Sequence, residues 1–336
     1  MKLIKSMINS NAKLNPKIFT PEIEQKPTRD GFGDGMILAG KEDSNVVGLC
    51  ADLADSTRVG WFQKQFPDRY IEVGIAEQNM MGLATGLAMA GKVPFLSTYA
   101  VFCPGRNWDQ MRVGVCYAKA NVKMSGAHAG VSVGPDGGTH QGLEDIAITR
   151  CLPNLVVLAP ADYLETRKAT YAAAKYVGPV YLRFAREKTP VFTSEETPFE
   201  IGKAITLRDG KDAVIIGCGP LLYNALEAAE ELAKEGIEVM VVNNHTIKPM
   251  DNAAIIEAAK LCGAVVTVED HQIMGGMGSA VAELLSQNYP VPMEFIGMRD
   301  KFGESGTPEE LIEVFGMGKN SIKEAIKKVI NRKISK

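Results

Sequence analysis

The sequence predicts an α/β protein built from two consecutive parallel-sheet α/β domains. Short apolar runs of strand length alternate with longer segments of helix length, first over residues 28–190 and again over 213–336. The chain has 336 residues, more than one ordinary core accommodates. Between the two alternating tracts runs a polar stretch near Pro190 and Pro198, read as a surface linker over 191–212. Residues 1–27 are polar and punctuated by proline. They are expected to form an arm that lies over a neighbour or is partly disordered.

In chain order, Thr28–Gly40 reads as a helix, a poor one because of Gly31, Gly33 and Gly35. Asn45–Cys50 reads as a buried strand that delivers Asp52, Asp55, Ser56 and Thr57 onto a loop. Tyr70–Gly74 is a short strand running into a helix at Ala76, with Glu77 in its first turn. That helix continues as MMGLATGLAMAG, apolar nearly all round, and is expected inside the protein against another backbone. A carboxylate opening such a helix either caps its N–H groups or serves something buried that needs an acid. Lys92–Ser97 is a strand, Arg106–Tyr117 a helix, and Asn121–Ser125 a strand ending at His128. A glycine-rich loop, 130–142, precedes a helix at Leu143–Cys151. Asn154–Leu158 and Pro179–Arg183 are strands flanking a helix over Leu164–Tyr176. The second tract repeats the pattern: strands at Ala213–Gly217, Glu238–Val242, Gly263–Glu269 and Met293–Ile296, and helices at Leu221–Gly236, Ala253–Leu261, Gly278–Gln287 and Lys319–Ile330.

Composition excludes several classes. The chain is 46% hydrophobic and 23% charged, a soluble globular balance. A formal charge of -3 argues against non-specific nucleic-acid binding. No apolar run reaches the ~18–20 residues of a membrane span. The first residues are basic but lack an apolar core and a cleavage site, so no secretory signal is expected. Cys50, Cys103, Cys116, Cys151, Cys218 and Cys262 are scattered and read as reduced core cysteines in a cytoplasmic protein.

In parallel sheets ligands gather at the carboxyl ends of strands. Asp52, Ser56, Tyr99, Phe102, His128 and Arg186 all follow such ends. His128 and His140 flank the loop GVSVGPDGGTHQG, with Asp136 four residues before His140. Five glycines in thirteen residues imply a backbone specialised for close approach or positive φ. By default Tyr99 and Phe102 are core aromatics, and Arg183 and Arg186 are surface charges. Gly33-Asp34-Gly35 resembles the start of a diphosphate and magnesium motif, but no apolar strand precedes it and no Asn follows at the required interval. The glycines of HQIMGGMGSA suit a tight turn better than a phosphate cradle.

Taken together, CADLADST at 50–57, YIEVGIAEQNMMG at 70–82, FLSTYAVF at 95–102 and HAGVSVGPDGGTHQGLEDIA at 128–147 resemble the C-terminal half of transketolase. The resemblance runs from about Thr28 to the end and implies a pyrimidine-binding domain followed by the transketolase C-terminal domain. The family's preceding domain, which holds the diphosphate of thiamine diphosphate through Mg2+, has no counterpart here. The resemblance therefore implies the C-terminal subunit of a split transketolase. Its partner would be an N-terminal subunit carrying the GDG…N site, with two copies of each chain and no metal ligand on this one. A deoxyxylulose-phosphate synthase-like enzyme, a 2-oxoacid dehydrogenase E1 β subunit and a non-catalytic assembly subunit are the alternatives. By the same match, Glu77 bonds the N1′ atom of the aminopyrimidine, its carboxyl buried with no cationic neighbour. Tyr99 and Phe102 enclose that ring, Tyr99 standing where Phe is usual, and Asp52 lies near the cofactor. Asp136 and His140 meet sugar hydroxyls, and His140 is placed to shuttle a proton. Arg29, Ser56, His128 and Arg186 correspond to a phosphate-binding set, which implies sugar phosphate substrates.

Overall fold

The computed structural model describes residues 7–333. The strands of its first half are β1 (Gln25–Pro27), β2 (Val46–Cys50), β3 (Tyr70–Glu72), β4 (Val93–Tyr99), β5 (Lys123–Ala127), β6 (Val156–Leu158), β7 (Val180–Arg183) and β8 (Lys188–Pro190). The second half adds β9 (Ile205–Arg208), β10 (Ala213–Gly217), β11 (Val239–Asn243), β12 (Thr246–Lys248), β13 (Val265–Gln272) and β14 (Met293–Met298). A seven-stranded sheet runs β12-β6-β7-β5-β4-β2-β3, and a five-stranded sheet runs β14-β13-β10-β11-β9. The central strands pair in parallel and are buried on both faces, as continuous apolar runs require.

The two parallel α/β units are present, with one addition to each. β9 and β12 are antiparallel edge strands, pairing with β11 and β6. Both fall where the sequence shows no apolar run. β9 ends in Arg208, whose buried guanidinium donates to the Val239 carbonyl at 2.7 Å, so a charge sits in a strand pattern. β12 belongs to the second half of the chain but extends the first sheet, tying the halves together. The stretch read as linker thus contains β9, and β8 pairs with β1 into a two-stranded ribbon.

Residues 1–6 of the expected arm lie outside the described residues. The rest of the arm packs on its own chain. Ala12, Ile18 and Ile23 are buried in a cluster with Phe192, Leu221 and Leu222, and the Asn15 amide donates to the Phe192 carbonyl at 2.8 Å.

The helix Thr28–Glu42 is well formed despite its glycines. A Cβ at Gly31 would lie 2.2 Å from the Tyr163 carbonyl oxygen, and one at Gly35 would lie 2.6 Å from the Thr170 Cβ. The glycines let this helix press against the helix Tyr163–Lys175. In the Gly33-Asp34-Gly35 stretch, Gly35 belongs to that packing, Asp34 accepts from the Tyr163 hydroxyl at 2.6 Å, and Gly33 faces Trp61 and Arg58.

The helix Glu77–Met89 departs from expectation. Glu77, Met80, Met81 and Ala84 are buried, but Leu83 and Met89 are exposed, and nothing lies within 4 Å of a Cβ built at Gly82 or Gly86. Its second face is uncovered in this chain. The expected helix at Arg106–Tyr117 is a short turn, Trp108–Gln110, followed by a wider π-helical segment, Met111–Tyr117. Helices at Ala54–Thr57 and Val59–Gln65 replace the loop expected to carry Asp55, Ser56 and Thr57, and the sequence reading also missed the helix Pro308–Val314. For Pro308–Val314 the signal was present: Thr307 and Glu310 form a capping box with Pro308 at the first position.

Candidate active site at the strand ends

The Glu77 carboxylate sits at the first position of its helix, 4% exposed. Arg106 donates from Nη1 to Oε1 at 3.0 Å and to Oε2 at 3.1 Å. The expectation of a carboxyl without a cationic neighbour therefore fails, because the loop after β4 folds Arg106 back over Glu77. The same guanidinium stacks on Phe102, 3.9 Å from the ring centroid. Phe102 stacks on Tyr99 at 5.8 Å, and Tyr99 stacks on His128 at 4.1 Å. His140 stands edge-on to both Tyr99 and Phe102, at 6.0 and 5.7 Å. Glu77, Phe102, Tyr99, His140 and His128 thus form one continuous wall, built by strand ends that lie far apart in sequence.

His128 is fully buried with φ 56°, and neither ring nitrogen has a partner among the described residues. Burial first, then the charges of Arg29, Arg186 and Arg58, push its pKa down to about 2, so the ring is neutral. His140 shares a hydrogen bond with the Thr139 hydroxyl through Nδ1 at 2.9 Å.

Behind this wall three guanidiniums converge. Arg29 donates to the Ser56 carbonyl at 3.0 Å, so Ser56 meets it through its backbone. Arg58 donates from Nε to Asp30 at 2.6 Å and from Nη1 to the Asp55 carbonyl at 2.9 Å. Arg186 pairs with Asp136 at 2.9 Å. All three arginines line one cavity. Burial and the neighbouring Arg58 charge lower the Arg29 pKa, though Asp30 opposes this. Asp52 is exposed at the end of β2, and its carboxylate has no hydrogen bond or ion pair among the described residues. Its amide donates to Glu72 at 2.8 Å.

The glycine-rich loop is held from the other half of the chain. Asp270, after β13's apolar run, accepts from the Val131 amide at 2.9 Å and the Ser132 amide at 3.3 Å. Gly130, at φ 85°, is where that carboxylate passes: a Cβ there would lie 2.0 Å from Oδ2. Gln141 donates to the Glu304 carbonyl at 2.9 Å. Arg183 is no surface charge. It is buried, pairs with Asp145 at 3.0 Å and donates to the Asp270 carbonyl at 2.6 Å.

The turn reading of HQIMGGMGSA also acquires a cause. Buried Glu269 accepts from the Met277 and Gly278 amides at 2.7 and 2.8 Å, so an internal carboxylate already occupies that helix start. Sequence reasoning missed Arg58 and Arg106. Arg58 directly follows Ser56-Thr57 in sequence, and Arg106 lies four residues beyond Phe102, which were the available signals.

Two parallel α/β units, joined by a strand of the second half that extends the first sheet, carry a buried carboxylate beside stacked aromatics at the strand ends, the arrangement of an enzyme chain. The chain belongs to the transketolase family, as the C-terminal subunit of a split enzyme. Residues 24–191 match the transketolase pyrimidine binding domain, and residues 202–322 match the transketolase C-terminal domain. It is 41% identical over 315 residues to the 6-deoxy-6-sulfo-D-fructose transketolase subunit SqwH of Clostridium sp. (strain MSTE9), covering 94% of this chain and 98% of that one. It is 37% identical over 295 residues to a subunit of the apulose-4-phosphate transketolase of Phocaeicola vulgatus, covering 88% and 94%. A solved structure described as "Split gene transketolase, inactive beta4 tetramer" superposes with a TM-score of 0.86 at 44% identity, covering 92% of this chain and 99% of that one. No helix among the described residues is long and apolar enough to cross a membrane.

Proposed function

We propose that this chain, with an N-terminal subunit, forms a thiamine diphosphate-dependent transketolase that moves a two-carbon glycolaldehyde unit from a ketose phosphate to an aldose phosphate. The observation that carries the reading is the Arg106 guanidinium, a flat N–H donor held against Phe102 and bonded to buried Glu77. A site that accepts a planar donor in this way fits an aminopyrimidine. Thiamine diphosphate, when bound, supplies the nucleophilic carbon and the electron sink for C–C cleavage.

The chain's own residues then divide the work. Glu77 holds the proton at N1′ of the pyrimidine, and Arg106 must yield its place on Phe102. Tyr99 and Phe102 stack on and enclose the ring, and Asp52 lies near the cofactor where subunits meet. Asp136 and His140 bond the sugar hydroxyls, and His140 moves a proton at the reacting oxygen. Arg29, Ser56, His128 and Arg186 hold the sugar's phosphate. The two relatives are named for a sulfo-sugar and a sugar phosphate, both bearing an anionic end, which supports an anion-binding role for this set. Mg2+ and the cofactor's diphosphate fall to the N-terminal subunit, in a complex with two copies of each chain. The uncovered Gly82–Gly86 face supports such a contact. We further infer a cytoplasmic enzyme of carbohydrate metabolism, of the pentose phosphate type.

Reconstitution tests this. The chain alone should be inactive, and adding the N-terminal subunit, thiamine diphosphate and Mg2+ should give ketose-phosphate turnover. Turnover by the chain alone, or turnover of pyruvate in preference to ketose phosphates by the complex, would overturn the reading.

A further inference from the structure

We propose that Arg58 is a third guanidinium of the sugar-phosphate pocket and sets its preference for a phosphate ester over the same sugar without phosphate; this rests on the reading of that pocket given above. Arg29, Arg58 and Arg186 line one cavity together with Asp30, Glu187 and Pro308. Carboxylates near these arginines roughly balance their charge, so net charge is not what the cavity has in excess. It has unpaired donors. Each guanidinium is tethered to a protein acceptor, Arg29 to the Ser56 carbonyl, Arg58 to Asp30 and the Asp55 carbonyl, Arg186 to Asp136. Among the described residues none of the three Nη2 groups makes a hydrogen bond, and the Arg29 Nε is buried without a partner. Both ring nitrogens of buried His128, whose charge these arginines oppose, also lack partners. A phosphate monoester brings three terminal oxygens and suits such a donor set. A hydroxyl in its place would leave donors unsatisfied.

Arg58 is also held in position. Its backbone is left-handed, φ 70°, at the junction of the helical segments Ala54–Thr57 and Val59–Gln65. Its guanidinium lies over the Trp61 ring at 5.3 Å. The competing reading makes Arg58 only the counter-ion of Asp30. The two readings differ in which substrate responds.

Steady-state kinetics of the reconstituted complex decides between them. In Arg58→Met, KM for the ketose phosphate should rise about tenfold, the loss of one charge-assisted contact, with kcat within about twofold. KM for the unphosphorylated ketose should not move, and Arg58→Lys should recover part of the loss. The rise should persist in Arg58→Met/Asp30→Asn, where no bare carboxylate is left to repel phosphate. An equal rise for both sugars, no rise, or a rise abolished in the double variant would overturn the proposal. If the wild-type complex turns over no ketose phosphate, the functional reading fails, and calorimetry of the chain with inorganic phosphate then judges the pocket by itself. Tighter binding to wild type than to Arg58→Gln supports it, and equal or absent binding overturns it.

Discussion

Arg106 bonds both oxygens of Glu77 while lying 3.9 Å from the Phe102 ring centroid, so one side chain spans the acid and the aromatic wall. Glu77 is buried but Arg106 is 46% exposed, so water screens the pair and the contact is worth little to the fold. The acid is therefore separable from stability. Glu77→Gln should lower turnover of the reconstituted enzyme by about 10²–10⁴-fold, the usual weight of a positioned proton partner. The urea midpoint of the isolated chain should stay close to wild type. Turnover above a tenth of wild type would remove Glu77 from the chemistry.

The Asp145–Arg183 pair has the opposite character. Both groups are buried, Tyr181 donates to Asp145 at 2.9 Å, and Arg183 reaches across to the Asp270 carbonyl. Removing one member leaves a buried charge without its partner. Asp145→Ala should cost about 3–5 kcal/mol in urea unfolding. Because Arg183 and Asp270 also hold the glycine-rich loop, any folded fraction should show a raised KM for the sugar. A loss under about 1 kcal/mol would show that water reaches the pair.

Why the strands were legible and this pair was not has a physical reason. β2, β4, β10 and β11 are apolar on both faces because helices cover both, and that leaves a readable run. The specialised backbone of the 130–142 loop is equally readable from its glycines. The cause of those glycines was not, since Asp270 arrives from more than a hundred residues away. Arg183 reads by default as a surface charge but is buried, as are Arg208 and Lys123, each with partners that no local pattern announces. Arg58 and Arg106 stayed hidden likewise: Asp30 and Glu77 meet them only in the fold. Glu77, His128 and His140 stood out first as polar residues in apolar or glycine-rich settings, and the linked motifs then gave them roles.

Glu165 makes a prediction about pH. It is buried where the halves meet, accepting from the Ala161 amide and the Asn243 side chain, each at 2.6 Å. Burial, then the neighbouring Asp162, push its pKa up to about 8 from an ordinary value near 4.5. The folded chain thus keeps a proton that the unfolded chain releases. This stabilising contribution is complete below about 4.5 and is lost as pH rises through about 8. Wild type should lose up to about 1.4 kcal/mol per pH unit from this group across that window. Glu165→Gln cannot titrate, so its urea midpoint should fall less between pH 5.5 and 8.5 than that of wild type. Parallel curves would show that Glu165 is ionised in the fold.

Two glycines should respond in opposite senses to the same added methyl. At Gly31 the new Cβ would meet the Tyr163 carbonyl at 2.2 Å and the Arg167 amide at 3.0 Å, both backbone atoms that cannot step aside. The helices would have to separate, so Gly31→Ala should destabilise the chain by about 1–3 kcal/mol. At Gly86, inside the Glu77 helix, the methyl meets nothing within 4 Å in this chain. There only the gain in helix propensity remains, and Gly86→Ala should stabilise the isolated chain by roughly 0.5–1 kcal/mol. If another subunit packs its backbone against that face, the same substitution should weaken assembly with the N-terminal subunit. Urea melts of the isolated chain and sedimentation of the reconstituted complex read the two effects separately. A Gly86→Ala chain that is more stable alone and assembles normally would mean the face stays open in the complex.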